Sequence, residues 1–210
     1  MFFAAEDELA VHTIASAAYR LISDLKSKHG YDEAGDHYLT MVFFAVRDYR
    51  RGTLPKVLAD DPDAVRWIKS LADRLPITSS SEYRDFRASV SSAVRDAFRS
   101  NRNKVANFLK HADRDADLVL PSGDVDNLTL LMTGLGSYLD VAPDDLGPEG
   151  RVLWIYFCVA NTLSDNLPAE YAPVADALKE ASPDDQLRLC RELIVRLGVS
   201  DSGKSAALDR

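Results

Sequence analysis

The sequence has few of the features that mark disulfide-rich, fibrous or membrane-spanning proteins. Its 210 residues include two cysteines, ten glycines and nine prolines, too few for a disulfide scaffold or a collagen-like chain. The longest uninterrupted apolar run, Val152–Ala160, has nine residues, whereas a membrane-spanning helix needs about 20. Positions 6–8 are acidic, unlike the basic flank of a secretory signal. These absences predict a cytoplasmic protein that does not bind membranes.

Motifs for catalysis and metal binding are also scarce. The sequence contains no GxGxxG, phosphate-binding P-loop, GxSxG, HExxH or CxxC pattern. Its nearest approach to a metal motif is the pairing of Glu8 with His12 and of Glu33 with His37. Both pairs are four residues apart, whereas the Glu-x-x-His motif of di-iron bundles spaces its ligands by three. We predict no metal and no cofactor, and the sequence leaves open whether the chain is an enzyme.

Apolar residues recur at helical spacing along almost the whole chain, of which 46% is hydrophobic. The pattern predicts eight helices, near residues 8–28, 36–51, 62–75, 79–112, 124–139, 148–163, 173–180 and 183–198. We therefore predict an all-α, compact multi-helix bundle in which central apolar helices are wrapped by amphipathic ones. The central helices are those around residues 41–46 and 152–157, which are apolar on almost every side. Residues 1–199 are expected to form a single domain, followed by a mobile tail over 200–210.

The first predicted helix carries a broad apolar face. Four of its residues lie on one stripe at heptad-like spacing, and three others widen that stripe: Ile14, Ala18, Leu21 and Leu25, then Val11, Ala15 and Ile22. Such a face predicts an amphipathic helix packed on the core. His12 and Tyr19 share one flank of the helix, and we interpret His12 as a hydrogen-bonded histidine at the core edge rather than a catalytic one.

Basic residues concentrate in residues 84–114. Eight lysines and arginines stand there against three acids, a local charge of +5 in a chain whose net charge is −8. On one continuous helix opened by the capping box Ser79/Glu82, a basic flank would follow the apolar stripe, and Asn101 would fall within that stripe. The candidate anion-binding residues are Arg95, Arg99, Arg102 and Lys104. They would bind phosphates or an acidic partner, or else pair with acids of neighbouring helices, the interpretation we favour.

The densest polar cluster lies at residues 107–115. Four residues separate His111 from Asp115, so on one helix the carboxylate would orient the imidazole as a general base requires. Asn107, one turn earlier, would donate to a substrate oxygen. These three are the candidate catalytic residues. The alternative, which we favour, is a helix C-terminus whose charged side chains interact with the helix dipole and the loop amides.

The segment Asn107–Asp113, together with His12–Tyr19, resembles a family of uncharacterised bacterial all-α proteins over about the first 120 residues. A looser resemblance is to HEPN domains, helical bundles found in RNA-cleaving toxins and phage-defence proteins, whose signature is an arginine followed four to six residues later by histidine. Arg102 and Asn103 match the start of that signature, but Asn107 stands where the histidine is expected. His111 is nine residues from Arg102, on nearly the opposite flank of a continuous helix.

The sequence therefore predicts a helical binding or interaction protein whose working surface is the basic segment 84–114. Its partner would be another protein or a second copy, and RNA is a less favoured partner. One alternative is a metal-independent, HEPN-like ribonuclease or other hydrolase acting on nucleic acid through His111. The other is a small-molecule-binding bundle, which requires an apolar cavity lined by His12, Tyr19 or Asn101.

Overall fold

The computed structural model confirms the all-α prediction, because no strand occurs in the part of the chain that it describes. It describes residues 1–111, 117, 119–142 and 146–208, with the backbone alone for residues 110, 122, 166 and 199–208. The helices are α1 (Glu8–Lys28), α2 (Glu33–Arg51), α3 (Lys56–Ala59), α4 (Pro62–Ala72), α5 (Ser92–Arg102), α6 (Lys104–His111), α7 (Asn127–Leu139), α8 (Gly147–Ala160), α9 (Ala172–Glu180) and α10 (Pro183–Leu208). Short 3-10 turns lie between several of them.

The chain divides into two compact units. The first comprises Met1–Tyr19 and Asp126–Arg210, and the second comprises Arg20–Val125. The long helix α1 therefore contributes its start to the first unit and its end to the second. The prediction of one domain over residues 1–199 stays a prediction.

The core of the first unit is built around α8. Val152 and Ile155 of this helix are fully buried, together with Cys190 of α10. The rings of Phe2 and Phe3 pack edge-on against Tyr156 and close one side of the cluster. The prediction that the apolar segment around residues 152–157 is a central helix is confirmed.

The core of the second unit is built around α2. Phe43 and Val46 are fully buried in a cluster with Ile68 of α4 and with Ile77. Asp32 caps the start of α2, and Gly52 ends it with a φ of 71°, a conformation that glycine adopts at helix C-termini without steric cost. Helix α2 is thus the helix around which this unit packs, as predicted, but Met41 and Phe44 of its apolar run are exposed.

The prediction of one helix over residues 79–112 is wrong. A 3-10 turn at Tyr83–Asp85 is followed by residues without regular structure up to Ser91, whose hydroxyl accepts the Val94 N–H and starts α5. Asn103 then separates α5 from α6. Serines at positions 89, 91 and 92 favour this break, because their hydroxyls compete for backbone hydrogen bonds.

A contact with α2 holds the non-helical segment in place. The Val90 N–H donates to the Asp32 carboxylate at 3.3 Å. The Ala88 carbonyl lies so close to Gly35 that a Cβ on Gly35 would be 2.2 Å from its oxygen. Tertiary contacts with α2 thus replace the local helical ones that the sequence pattern predicts.

Two predicted helix ends also differ from the structure. The last helix does not end at Gly198 but continues to Leu208, since one glycine inside a helix costs only about 1 kcal/mol. Helix α7 begins at Asn127 and is capped by Asp126 rather than by Asp124. The prediction that residues 200–210 are mobile stays a prediction, although the helix covers most of them.

Candidate functional site

The start of α2 gathers carboxylates that pair with basic residues. Asp32 accepts a hydrogen bond from the Gly35 N–H at 3.3 Å. It also forms an ion pair with Arg95 of α5, whose Nη2 lies 2.7 Å from Asp32 Oδ2. The hydrogen bond from Arg95 holds the pKa of Asp32 below its usual value. A carboxylate at this position also interacts favourably with the positive end of the helix dipole. Arg95 therefore fixes α5 to the beginning of α2.

Glu33 and His37, four residues apart on α2, face Phe98 and Arg102, four residues apart on α5. Arg102 Nη1 donates to Glu33 Oε1, and both side chains are largely buried. The ring centroid of His37 lies 5.1 Å from that of Phe98, and burial lowers the pKa of His37, which favours its neutral form. Glu33 and His37 thus form a face of α2 that packs against α5.

A third pair, between Lys26 of α1 and Asp36 of α2, is the most deeply buried. Lys26 Nζ lies 2.9 Å from Asp36 Oδ2, and less than a tenth of either side chain is exposed. The Tyr31 ring lies 5.0 Å from Lys26 Nζ, and Arg87 stacks 4.2 Å from the same ring while donating to its hydroxyl. Removing one member of such a pair leaves a buried charge, which costs about 3–5 kcal/mol.

Three of the four predicted anion-binding residues are engaged within the protein. Arg95 and Arg102 pair with the α2 carboxylates, and Lys104 Nζ lies 2.7 Å from Asp124 Oδ2. Arg99 is exposed, and no ion pair of its side chain occurs within the described residues. These contacts favour pairing with neighbouring acids, and the phosphate site stays a prediction.

The predicted catalytic cluster is placed only in part. Asn107 and His111 are both exposed, one turn apart on α6, which ends at His111. Asp115 lies outside the described residues, so its pairing with His111 stays a prediction. Arg102 lies on α5, so it does not share a helix with His111. Asn101, expected within a buried stripe, is instead exposed, as are Val94 and Ala97 of the same stripe.

The prediction that His12 is hydrogen-bonded is confirmed, and the prediction that it is not catalytic stays a prediction. Its side chain is buried, and its Nδ1 lies 3.1 Å from Asn127 Oδ1 at the start of α7. The Asn127 amide in turn donates to the Glu8 carbonyl at 3.0 Å. His12 thus tethers α1 to α7 within the first unit.

A small apolar groove of about 230 Å³ lies between α9 and α10. Val174, Ala177 and Leu193 contribute to its walls, and Glu192 and Arg196 lie at its border. None of His12, Tyr19 and Asn101, which the small-molecule alternative requires, lines it. That alternative stays a prediction.

An exposed apolar face runs along α1. Ile14, Leu21 and Leu25 are 55%, 63% and 42% exposed, and Ala18 between them is exposed as well. We call these four residues the α1 stripe. Of the three residues expected only to widen it, Val11 and Ala15 are buried instead, and Ile22 is half-buried. The prediction that the stripe packs on the core is therefore wrong.

The width of the apolar face of α1 was the feature of the sequence that could have predicted an exposed half. At about 100° per residue, the apolar residues of α1 cover roughly half of its circumference, more than one packing partner covers. The helix buries one half of that face within its own chain. The other half, the α1 stripe, is left open.

A second apolar surface on α2 was not found from the sequence. Tyr38, Met41 and Phe44 are exposed, although the all-round apolar pattern predicts burial on several sides. Phe44 is partly covered, since Tyr83 stacks on it at 5.8 Å and the Arg47 guanidinium lies 4.7 Å from its ring. This surface is therefore less open than the α1 stripe.

No protein-family model matches the chain, and comparison with curated proteins and with solved structures finds no significant match. Among the described residues, no group of three or more His, Cys, Asp or Glu side chains is placed to bind a metal ion. No helix within those residues is both long and apolar enough to cross a membrane.

Proposed function

We propose that this protein is a protein-interaction module and that the α1 stripe is its binding surface. The observation that carries the proposal is that Ile14, Leu21 and Leu25 are exposed. Together with the exposed Ala18, they are separated by four, three and four residues along α1. This spacing is typical of helices that pack along a partner helix. Contiguous exposed apolar patches of this kind mark interaction sites.

The exposed area is sufficient to contribute to binding. The exposed fractions of the three aliphatic residues correspond to about one and a half complete side chains. Burying a complete side chain of this size contributes about 1.5–3 kcal/mol, so the α1 stripe would contribute about 2–5 kcal/mol per copy. That contribution is several-fold larger than the 0–1 kcal/mol of a typical exposed ion pair.

The basic segment supports a different role. Because Arg95 and Arg102 are engaged by the carboxylates of α2, and Lys104 by Asp124, their charges are neutralised within the chain. Using them to bind an anionic partner would require breaking these pairs. We therefore assign Arg95, Arg102 and Lys104 to contacts within the second unit and the binding role to α1.

The proposal is tested by photo-crosslinking in the source cells. A photoreactive phenylalanine analogue replaces Leu21 in one variant and the exposed, polar Arg20 of the same helix in the control. We expect position 21 to give one discrete crosslinked product, with either twice the mass of the chain or the combined mass of the chain and another protein. Position 20 should not give this product. If position 21 gives no product beyond the control, the α1 stripe is not a binding surface.

A further inference from the structure

We propose that the α1 stripe binds the same stripe of a second copy of this chain, with the two helices antiparallel. This inference rests on the proposed function and adds the identity of the partner. Ile14, Ala18, Leu21 and Leu25 are separated by four, three and four residues. That pattern reads the same in both directions, so an antiparallel copy presents matching positions along the whole stripe.

The sizes of the side chains also fit the antiparallel arrangement. Pairing Ile14 with Leu25 of the second copy places Ala18 against Leu21 of that copy, and the reverse pairs follow from the twofold symmetry. Each central layer then combines a small and a large side chain, which fills the space evenly. A parallel, in-register pair would instead oppose Ala18 to Ala18, which leaves that layer underfilled beside the Leu21 layer.

Opposite charges at the two ends of the stripe select the same orientation. Asp7 lies one heptad before Ile14, and Lys28 lies one heptad after Leu21; both are exposed. Asp7 also accepts the Ala10 N–H at 2.8 Å, which holds its carboxylate at the start of α1. In the antiparallel pair Lys28 of each copy lies about 6 Å along the helix axis from Asp7 of the other, within reach of its long side chain, whereas the parallel pair would oppose like charges.

The test crosslinks single-substitution variants of the full-length chain. Ile14→Cys and Leu25→Cys are purified separately, one of them with a tag, then mixed and treated with a short bismaleimide. Antiparallel pairing places the thiol introduced at position 14 of one copy beside the thiol introduced at position 25 of the other, and keeps identical positions about 16 Å apart. We expect the mixed dimer and little product from either variant alone. The native Cys158 and Cys190 are buried, which limits their reaction.

Each other outcome overturns the inference. Crosslinking of each variant to itself would establish a parallel pair. No crosslink in any sample, combined with a product of another mass from position 21 in cells, would overturn self-pairing while the proposed function stands. No crosslink in either experiment would overturn both. As a control, Leu21→Ser added to both cysteine variants removes the large side chain from both central layers and should reduce the mixed product about tenfold or more.

Discussion

The contact between Gly35 and the Ala88 carbonyl gives the sharpest prediction about the fold. A methyl group at Gly35 would lie 2.2 Å from the Ala88 oxygen, 2.7 Å from its carbonyl carbon and 3.1 Å from Ser89 Cα. All three atoms belong to backbone, so no side chain can rotate away. The segment must move by about 1 Å to reach ordinary contact.

That displacement would weaken the contacts that hold the segment to α2. The hydrogen bond from the Val90 N–H to Asp32 is already long at 3.3 Å, and a hydrogen bond to a charged group contributes about 1.5–3 kcal/mol. Strain in the crowded backbone adds to that loss. Against it stands the gain of about 1 kcal/mol for replacing glycine by alanine inside a helix. We expect Gly35→Ala to lower the free energy of unfolding by about 1–3 kcal/mol.

Gly136 of α7 provides the matched control. It also lies inside a helix, but nothing approaches within 4 Å of a Cβ built there. Gly136→Ala should therefore stabilise the protein by up to about 1 kcal/mol. Urea unfolding followed by circular dichroism measures both variants. If Gly35→Ala is as stable as the parent chain or more so, the close approach of Ala88 is not present.

Three further predictions concern ionisable groups. Because the paired guanidinium lowers its pKa, Asp32 stabilises the fold above pH about 4 and loses that contribution as the pH falls further. Asp32→Asn should therefore reduce the loss of unfolding free energy at acidic pH. An unchanged dependence of the unfolding free energy on pH would contradict this. Arg102→Gln should lower the free energy of unfolding by about 1–3 kcal/mol, whereas the exposed Arg99→Gln should change it by no more than about 0.5 kcal/mol. Equal losses for the two variants in urea unfolding would refute the packing role of Arg102. Burial raises the pKa of Cys158 to about 11 and of Cys190 to about 12, so both thiols should react with Ellman's reagent much more slowly in the native protein than in urea; equal rates would show that they are accessible.

Much of the fold was predictable because the helices have strong local signals. Apolar spacing and caps such as Asp61 with Pro62 located most helices to within a few residues, and the fully apolar runs identified the central helices α2 and α8. The break at residues 86–91 was not predictable in the same way. It depends on Gly35 and Asp32, which approach from a distant part of the sequence.

The candidate site was harder to predict than the fold. Hydrophobic periodicity located the apolar face of α1 but not which half of it the chain buries, because both halves have the same helical spacing. The basic segment showed the converse problem. Its charge excess was visible in the sequence, whereas the carboxylates that neutralise Arg95 and Arg102 belong to α2.

Sedimentation equilibrium of the purified chain and of Leu21→Ser tests the central claim most directly. Leu21 is exposed, so its loss should leave the helical content unchanged, whereas the same change at the buried Val11 should destabilise the fold. We predict twice the mass of one chain for the parent protein and the mass of one chain for Leu21→Ser. Equal masses for the two proteins, or a loss of folding in Leu21→Ser comparable to that in Val11→Ser, would contradict the account.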